Sequence, residues 1–358
     1  MKILFYINCL TRGGAERVFT NLANSFSLSN QCVMVTSYPA ENEYQCCERI
    51  KRVFLEEKRR TNFLVRNLLL IKRLRKAIKN EKPDLVISFM AEPNFRILFA
   101  TLFNKKVKKI ISIRNDPHFE YSSFVSRLMA KCLFPTADSI VFQTEDAVNC
   151  FSKKIKKKAV ILPNAVNESF FREKYYGERR DIVSVGRLSN QKNFELLISS
   201  FNRIKDQITD NLIIYGEGPN RTALEKMINQ FGISDRVKLP GLVSNVPELI
   251  QASSVFVLPS NYEGLPNALM EAMALGVPCV STDCPCGGPR MLISNKINGL
   301  LVPIKDEYAL SCAILDAING KYPSLGDEAY SSMLNYKPDI VFGKWEELIK
   351  NTMEKRCC

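Results

Sequence analysis

Two glutamates eight positions apart, Glu263 and Glu271, stand in the stretch PSNYEGLPNALMEAMALGVP. Glu263 lies among turn formers, and Glu271 lies inside a run of helical character, with Pro266 suited to the first turn. Carboxylates so placed accept hydrogen bonds from hydroxyls, as on a sugar or a ribose. The plainer account makes Glu263 a complement to a helix dipole and Glu271 a surface residue. Earlier in the chain, GRLSNQKNFELL sets Arg187 and Lys192 after Gly186 and before a helix expected from near Asn193. Two cations there could neutralise a diphosphate without a metal, or could be ordinary charges of a solvated loop. Near the N-terminus, CLTRGGAERVFTNLA offers a tight turn at Gly13 and Gly14 that leads into a helix expected from near Ala15. Backbone N–H groups can approach an oxyanion at such a turn, and the helix adds its dipole, although a plain strand-to-helix turn reads the same way.

Other chemistries find little support. The turn does not have the GxGxxG spacing of a dinucleotide site, which weakens an NAD-dependent reading. No two aspartates are separated by a single residue, and His118 is the only histidine, so neither a DxD motif nor a histidine-based metal centre is expected. Twelve cysteines include the vicinal pairs Cys46–Cys47 and Cys357–Cys358 and the trio Cys279, Cys284 and Cys286, but no paired CxxC motifs. They read as reduced, structural or incidental thiols of a cytosolic protein.

The elements that must position these residues alternate along the chain. KILFYIN, QCVMVTS, DLVISFM, KIISIRN, SIVFQT and AVILPN read as strands of a first half. DIVSVG, NLIIYG, RVKLPG, SVFVLPS and PCVSTD read as strands of a second. Runs apolar along their whole length, with amphipathic segments between them, indicate parallel strands covered on both faces. The expected fold class is α/β, with two doubly wound domains, 1–165 and 166–358, and a last helix free to pack back on the first. Ligands in such sheets bind beyond the carboxyl ends of the strands, so the cleft between two of them is the natural site. MKILFYINCL shows no signal-peptide cleavage site and reads as the first strand.

At this point the chain resembles a GT-B retaining glycosyltransferase of family 4. GGAER, GRLSNQKN, YGEGP, LPSNYEGLPNALMEAMALGVPCVSTD and NGLLVP occur in that family's order, most closely from Asp181 to Pro303. The resemblance implies two Rossmann-like domains facing across a cleft, a nucleotide-sugar donor held by the second and an acceptor held by the first. It puts Arg187 and Lys192 on the donor diphosphate, Glu271 on the ribose hydroxyls and Glu263 near the donor sugar. Gly264, Leu265, Pro266 and Asn267 would support sugar and phosphate, Gly216 of YGEGP would join the donor site, and Gly13 and Gly14 would close over the diphosphate. His118 would stand beside donor sugar and acceptor. Met291 replaces a glutamate common among relatives, which leaves the local donor contacts open. The implied reaction is metal-independent and uses no cofactor. It keeps the anomeric configuration, the departing phosphate taking the acceptor proton. Uridine is the favoured base. A catalytically silent sugar-nucleotide binder would carry the same residues.

Charge points to the acceptor's surroundings. Residues 1–165 hold 29 Lys and Arg against 14 Asp and Glu, whereas residues 166–358 hold 21 against 23. All of the net +13 therefore lies in the first half, which implies an anionic partner for that domain. Nucleic acid is disfavoured, because no aromatics interleave a basic stretch. Residues 58–79 repeat Leu64, Leu68, Ile71, Leu74 and Ile78 at helical spacing, with Arg66, Lys72, Arg73, Arg75, Lys76 and Lys79 on the remaining surface. Such a helix can lie on an anionic membrane or bury its stripe in a core. With the lysines of KKIKKK at 153–158, it suggests a lipid-linked saccharide acceptor, a place at the inner membrane face, and a role in surface polysaccharide assembly such as O-antigen or capsule.

Overall fold

The computed structural model describes residues 1–11, 13–56 and 62–354. The chain forms two compact units, Met1–Asn164 with the C-terminal segment from Val341, and Ala165–Ile340. Each contains one parallel sheet.

The first sheet contains β1 (Lys2–Ile7), β2 (Gln31–Thr36), β3 (Lys51–Phe54), β4 (Leu85–Phe89), β5 (Lys108–Ser112), β6 (Ser139–Phe142) and β7 (Ala159–Ile161). Their order is β3-β2-β1-β4-β5-β6-β7, so the winding reverses between β1 and β4, where Phe5 pairs with Ile87. β4 and β6 are buried along their whole length, which explains why their sequences, LVISF and SIVF, are apolar but for one serine each. β3 is the strand that the apolar pattern does not announce. Its sequence is KRVF, with both end residues exposed, and it forms the edge of the sheet. A charged edge strand blunts pairing with other chains but erases the pattern that marks a strand.

The C-terminal helix Pro338–Glu354 begins in the second unit, and from Val341 it belongs to the first. Trp345 is fully buried and stacks on Phe89 with ring centroids 5.9 Å apart, while Thr352 and Ser139 share a hydroxyl hydrogen bond of 3.0 Å. The first unit thus takes part of its core from the end of the chain.

The second sheet contains β8 (Ile182–Val185), β9 (Leu212–Tyr215), β10 (Val237–Gly241), β11 (Val255–Leu258), β12 (Cys279–Thr282) and β13 (Leu300–Val302), in the order β10-β9-β8-β11-β12-β13. One apolar cluster joins Phe194, Leu197, Ile198 and Phe201 to Leu310 and Ile314; another joins Leu258, Leu265, Leu269, Met270 and Met273. The short β13, LLV within NGLLVP, is too brief to be read as a strand from its sequence.

The basic amphipathic segment becomes the helix Phe63–Glu81, N-capped by the Asn62 side chain; residues 58–61 of that segment lie outside the described residues. Its apolar residues do not form one stripe. Leu70, Leu74 and Ile78 are buried, whereas Leu64 and Leu68 are 72% and 70% exposed. Nor are its cations all solvated. Arg66 is buried, Arg73 binds Glu56 at 3.2 Å, and Arg75 donates to the carbonyls of Phe99 and Ala100. Lys72, Lys76 and Lys79 remain exposed. No helix among the described residues is long and apolar enough to cross a membrane.

Candidate active site

In the second unit the residues singled out by type converge at the carboxyl ends of β8 and β11. The loop after β8 reaches the helix Phe194–Ile204 through Asn193, whose left-handed backbone (φ 49°) reverses the chain. This turn directs Lys192 toward the loop that follows β11. There its Nζ meets Glu263 Oε1 at 2.5 Å, with only 16% and 9% of the two side chains exposed. Ser260 Oγ donates to the same Oε1 at 2.8 Å, and Gln191 Nε2 lies 3.4 Å from Oε2. Glu263 is therefore paired and enclosed rather than merely complementing a helix dipole.

Backbone pairing holds the two loops in register. Asn261 N–H donates to the Gln191 carbonyl at 2.8 Å, and Asn261 Nδ2 donates to the Asn190 carbonyl at 2.7 Å. On the other side, Glu263 N–H donates to the Pro285 carbonyl at 2.9 Å, and Thr282 Oγ1 donates to the Ser260 carbonyl at 2.6 Å. The loop after β12 closes the arrangement. A Cβ on Gly288 would sit 1.8 Å from the Gly264 carbonyl oxygen, so only glycine permits this approach. A similar constraint acts at Gly216, with φ 140° and a would-be Cβ 1.9 Å from the Gly186 oxygen. Gly216 thereby lets the end of β9 lie against the start of the Arg187–Lys192 loop.

Glu271 occupies the second turn of the helix Asn267–Ala274 and is 5% exposed, which overturns the account of it as a surface residue. Pro266 is the N-cap of that helix rather than a member of its first turn. Gly264, Leu265 and Pro266 are buried, and Asn267 is half-buried. Arg187 differs from Lys192 in being exposed, without an ion pair among the described residues. Met291 is 40% exposed. Cys284 stands by the ion pair; burial and the negative charge of Glu263 push its thiol up to about 12, so it stays protonated at working pH.

The first unit holds the remaining candidates on two different strand ends. Gly13, after β1, is the N-cap of the helix Gly14–Phe26, and Glu16 folds back over it; a Cβ on Gly13 would meet Glu16 Oε2 at 2.1 Å. Burial raises the Glu16 carboxyl above the usual range. His118, after β5, is exposed in a short turn of helix capped by Asp116, and its Nε2 lies 3.4 Å from Cys150 Sγ.

Ser260, Gln191 and Gly288 escape a reading of the sequence. Only Gly288 leaves a trace there, in the paired glycines of CPCGGPRML. The cysteines of that stretch are buried free thiols, and no disulfide occurs among the described residues; Cys357–Cys358 lies outside them.

Comparison with known proteins bears on family and fold. Residues 12–170 match the family described as Glycosyltransferase Family 4, and residues 166–334 match the one described as Glycosyl transferases group 1. The chain is 30% identical over 327 residues to the N-acetylgalactosamine-N,N'-diacetylbacillosaminyl-diphospho-undecaprenol 4-alpha-N-acetylgalactosaminyltransferase of Campylobacter jejuni, covering 86% of this chain and 88% of that one. An uncharacterized glycosyltransferase of Methanocaldococcus jannaschii is 32% identical over 248 residues, 62% of this chain and 61% of that one. Among solved structures, Anabaena Alr3699/HepE in complex with UDP matches with a TM-score of 0.81 at 16% identity, over 98% of this chain and 100% of that one, a likeness of fold alone.

Proposed function

The chain belongs to glycosyltransferase family 4 (glycosyl transferases group 1) and has a GT-B fold of two Rossmann-like domains, and on that basis we propose the reaction it performs. It transfers a hexose or N-acetylhexosamine from a UDP-sugar to a lipid-linked saccharide in surface polysaccharide biosynthesis, with retention of configuration. The observation that carries this reading is the Lys192–Glu263 pair at 2.5 Å, set between the ends of β8 and β11. A cation and a carboxylate held side by side suit a ligand with phosphate at one end and hydroxyls at the other. Arg187 supplies a second, exposed cation in the same loop, so leaving-group charge is met by side chains without a metal. The acceptor proton passes to the departing phosphate, and neither Glu263 nor Glu271 need form a covalent intermediate. Relatives support the choice of partners: the Campylobacter enzyme is named for a diphospho-undecaprenol substrate, and HepE was solved with UDP.

The test is thermal unfolding with UDP, GDP, ADP or NAD, each with EDTA. UDP at about 100 times its dissociation constant should add roughly 2.7 kcal/mol of stability. Stabilisation by UDP alone, retained in EDTA, is the expected result; stabilisation by NAD, or a requirement for a metal, would overturn the reading.

Acceptor access at an anionic membrane is part of the same proposal. It rests on the exposed Leu64 and Leu68 and on Lys72, Lys76 and Lys79, since Arg73 and Arg75 are engaged within the chain. Wild-type binding to liposomes containing acidic lipid should weaken as salt rises, and replacing the three lysines by glutamate should release the protein even at low salt. Sedimentation with vesicles measures this, and unchanged binding would remove the membrane from the account.

A further inference from the structure

The winding of the first sheet reverses between β1 and β4, which is where open α/β sheets receive ligands. Four side chains meet there. Asn8 follows β1, Glu92 is the second residue of the helix Ala91–Ala100 that follows β4, Arg96 lies one turn further along it, and Asn67 comes from the helix Phe63–Glu81. Arg96 is almost completely buried. Its Nη2 donates to Glu92 Oε2 at 2.5 Å, its Nε to Asn67 Oδ1 at 2.7 Å, and its Nη1 to Asn8 Oδ1. Asn8 Nδ2 reaches the same Glu92 oxygen at 3.5 Å, and Arg66 Nη2 stands 3.9 Å from the other.

The arrangement is lopsided. Burying a guanidinium is costly, and a pair serving stability alone would enclose both partners. Here 3% of the Arg96 side chain is exposed but 43% of the Glu92 side chain. A buried cation with its donors spent on fixed groups thus presents a carboxylate in one orientation to solvent. The remaining lone pairs of that carboxylate accept hydrogen bonds. Two guanidinium neighbours make the spot unfavourable for a cationic ligand, whereas neutral hydroxyl donors meet no such penalty.

We propose that Glu92, oriented by Arg96 and Asn8 at the switch point of the first sheet, binds the hydroxyls of the acceptor's terminal sugar. This rests on the glycosyltransferase reading, which places the acceptor on the first domain. Saturation-transfer NMR on UDP-saturated full-length protein tests it, with the methyl α-glycosides of glucose, galactose and their 2-acetamido forms as probes. Wild type should bind at least one of them. Glu92→Gln, which keeps the shape but weakens the acceptor, should reduce that binding about tenfold, the worth of one charge-assisted hydrogen bond. Glu92→Ala should lose it, though that change leaves Arg96 buried without its carboxylate and could unfold the unit. The stabilisation by UDP, held on the second domain, must stay unchanged in Glu92→Gln. Equal glycoside binding by Glu92→Gln, or no binding by wild type, would overturn the proposal. Absence of any UDP response in wild type would instead overturn the donor reading beneath it.

Discussion

Lys192→Ala is expected to slow transfer by about two to three orders of magnitude and to destabilise the second domain at the same time. The two effects have separate causes. Removing the ammonium leaves Glu263 enclosed with Ser260 and Gln191 as its side-chain donors among the described residues, and stranding one member of a buried pair costs about 3–5 kcal/mol. Removing the charge that meets the diphosphate should cost roughly 10²–10³-fold in rate, the scale for a preorganised donor at developing charge. The double variant Lys192→Met with Glu263→Gln separates them, because no unpaired charge is left inside. Its stability should return most of the way to wild type, while its activity and its stabilisation by UDP should not. Arg187→Ala makes the contrast. Being exposed, it should change stability by no more than about 0.5 kcal/mol. Its loss of activity should be about 10–100-fold, for one charged hydrogen bond. Urea unfolding and steady-state kinetics on the four proteins read both quantities. A Lys192→Ala enzyme with wild-type turnover would remove the ion pair from the mechanism.

The second large effect is expected from a single methyl group. In Gly288→Ala the new Cβ would lie 1.8 Å from the Gly264 oxygen, 2.9 Å from its carbonyl carbon and 3.0 Å from Pro266 Cδ. Backbone stands in the way, so no side chain can swing aside. The loop carrying Glu263 must move, and overpacking of this kind costs about 1–3 kcal/mol or more. Because Glu263 N–H is bound to the Pro285 carbonyl on the opposing loop, the movement should also dissolve the ion pair. Weakened UDP binding together with a lowered unfolding midpoint is the expected outcome. Gly343→Ala is the control. It lies in the helix Pro338–Glu354 with nothing within 4 Å of the added atom, and should stabilise by roughly 0.5–1 kcal/mol. If Gly288→Ala behaved like Gly343→Ala, the close approach of the two loops would be wrong.

The strands buried on both faces are legible because their sequences are almost wholly apolar, as in LVISF and VFVL. KRVF is not, since an edge strand is free to carry charge on both sides. The helix Phe63–Glu81 was legible as a helix, but its environment was not. Leu64 and Leu74 look equivalent in a periodic pattern, yet one is exposed and the other buried, because the neighbouring elements cover only part of the helix. In the candidate site, residue types were readable and partnerships were not. Lys192 and Glu263 stand 71 residues apart, and no local rule brings them together. Their meeting depends on β8 and β11 being sheet neighbours, which is a property of strand order and not of either loop. Ser260 is hidden in the sequence for the same reason, one serine among several until its hydroxyl meets Glu263.

Trp345 on Phe89 has a further consequence, for the order in which the molecule is made. The ribosome releases β1 to β7 first, but the residue that completes their core comes only after the whole of Ala165–Ile340 has been synthesised. At ordinary rates of synthesis that delay is roughly 10–35 s. During it the nascent first domain exposes the apolar slot around Phe89 that Trp345 will fill, a natural station for a chaperone. The second domain, continuous in sequence, has no such wait. Folding of this chain on the ribosome is therefore expected to finish with its first domain.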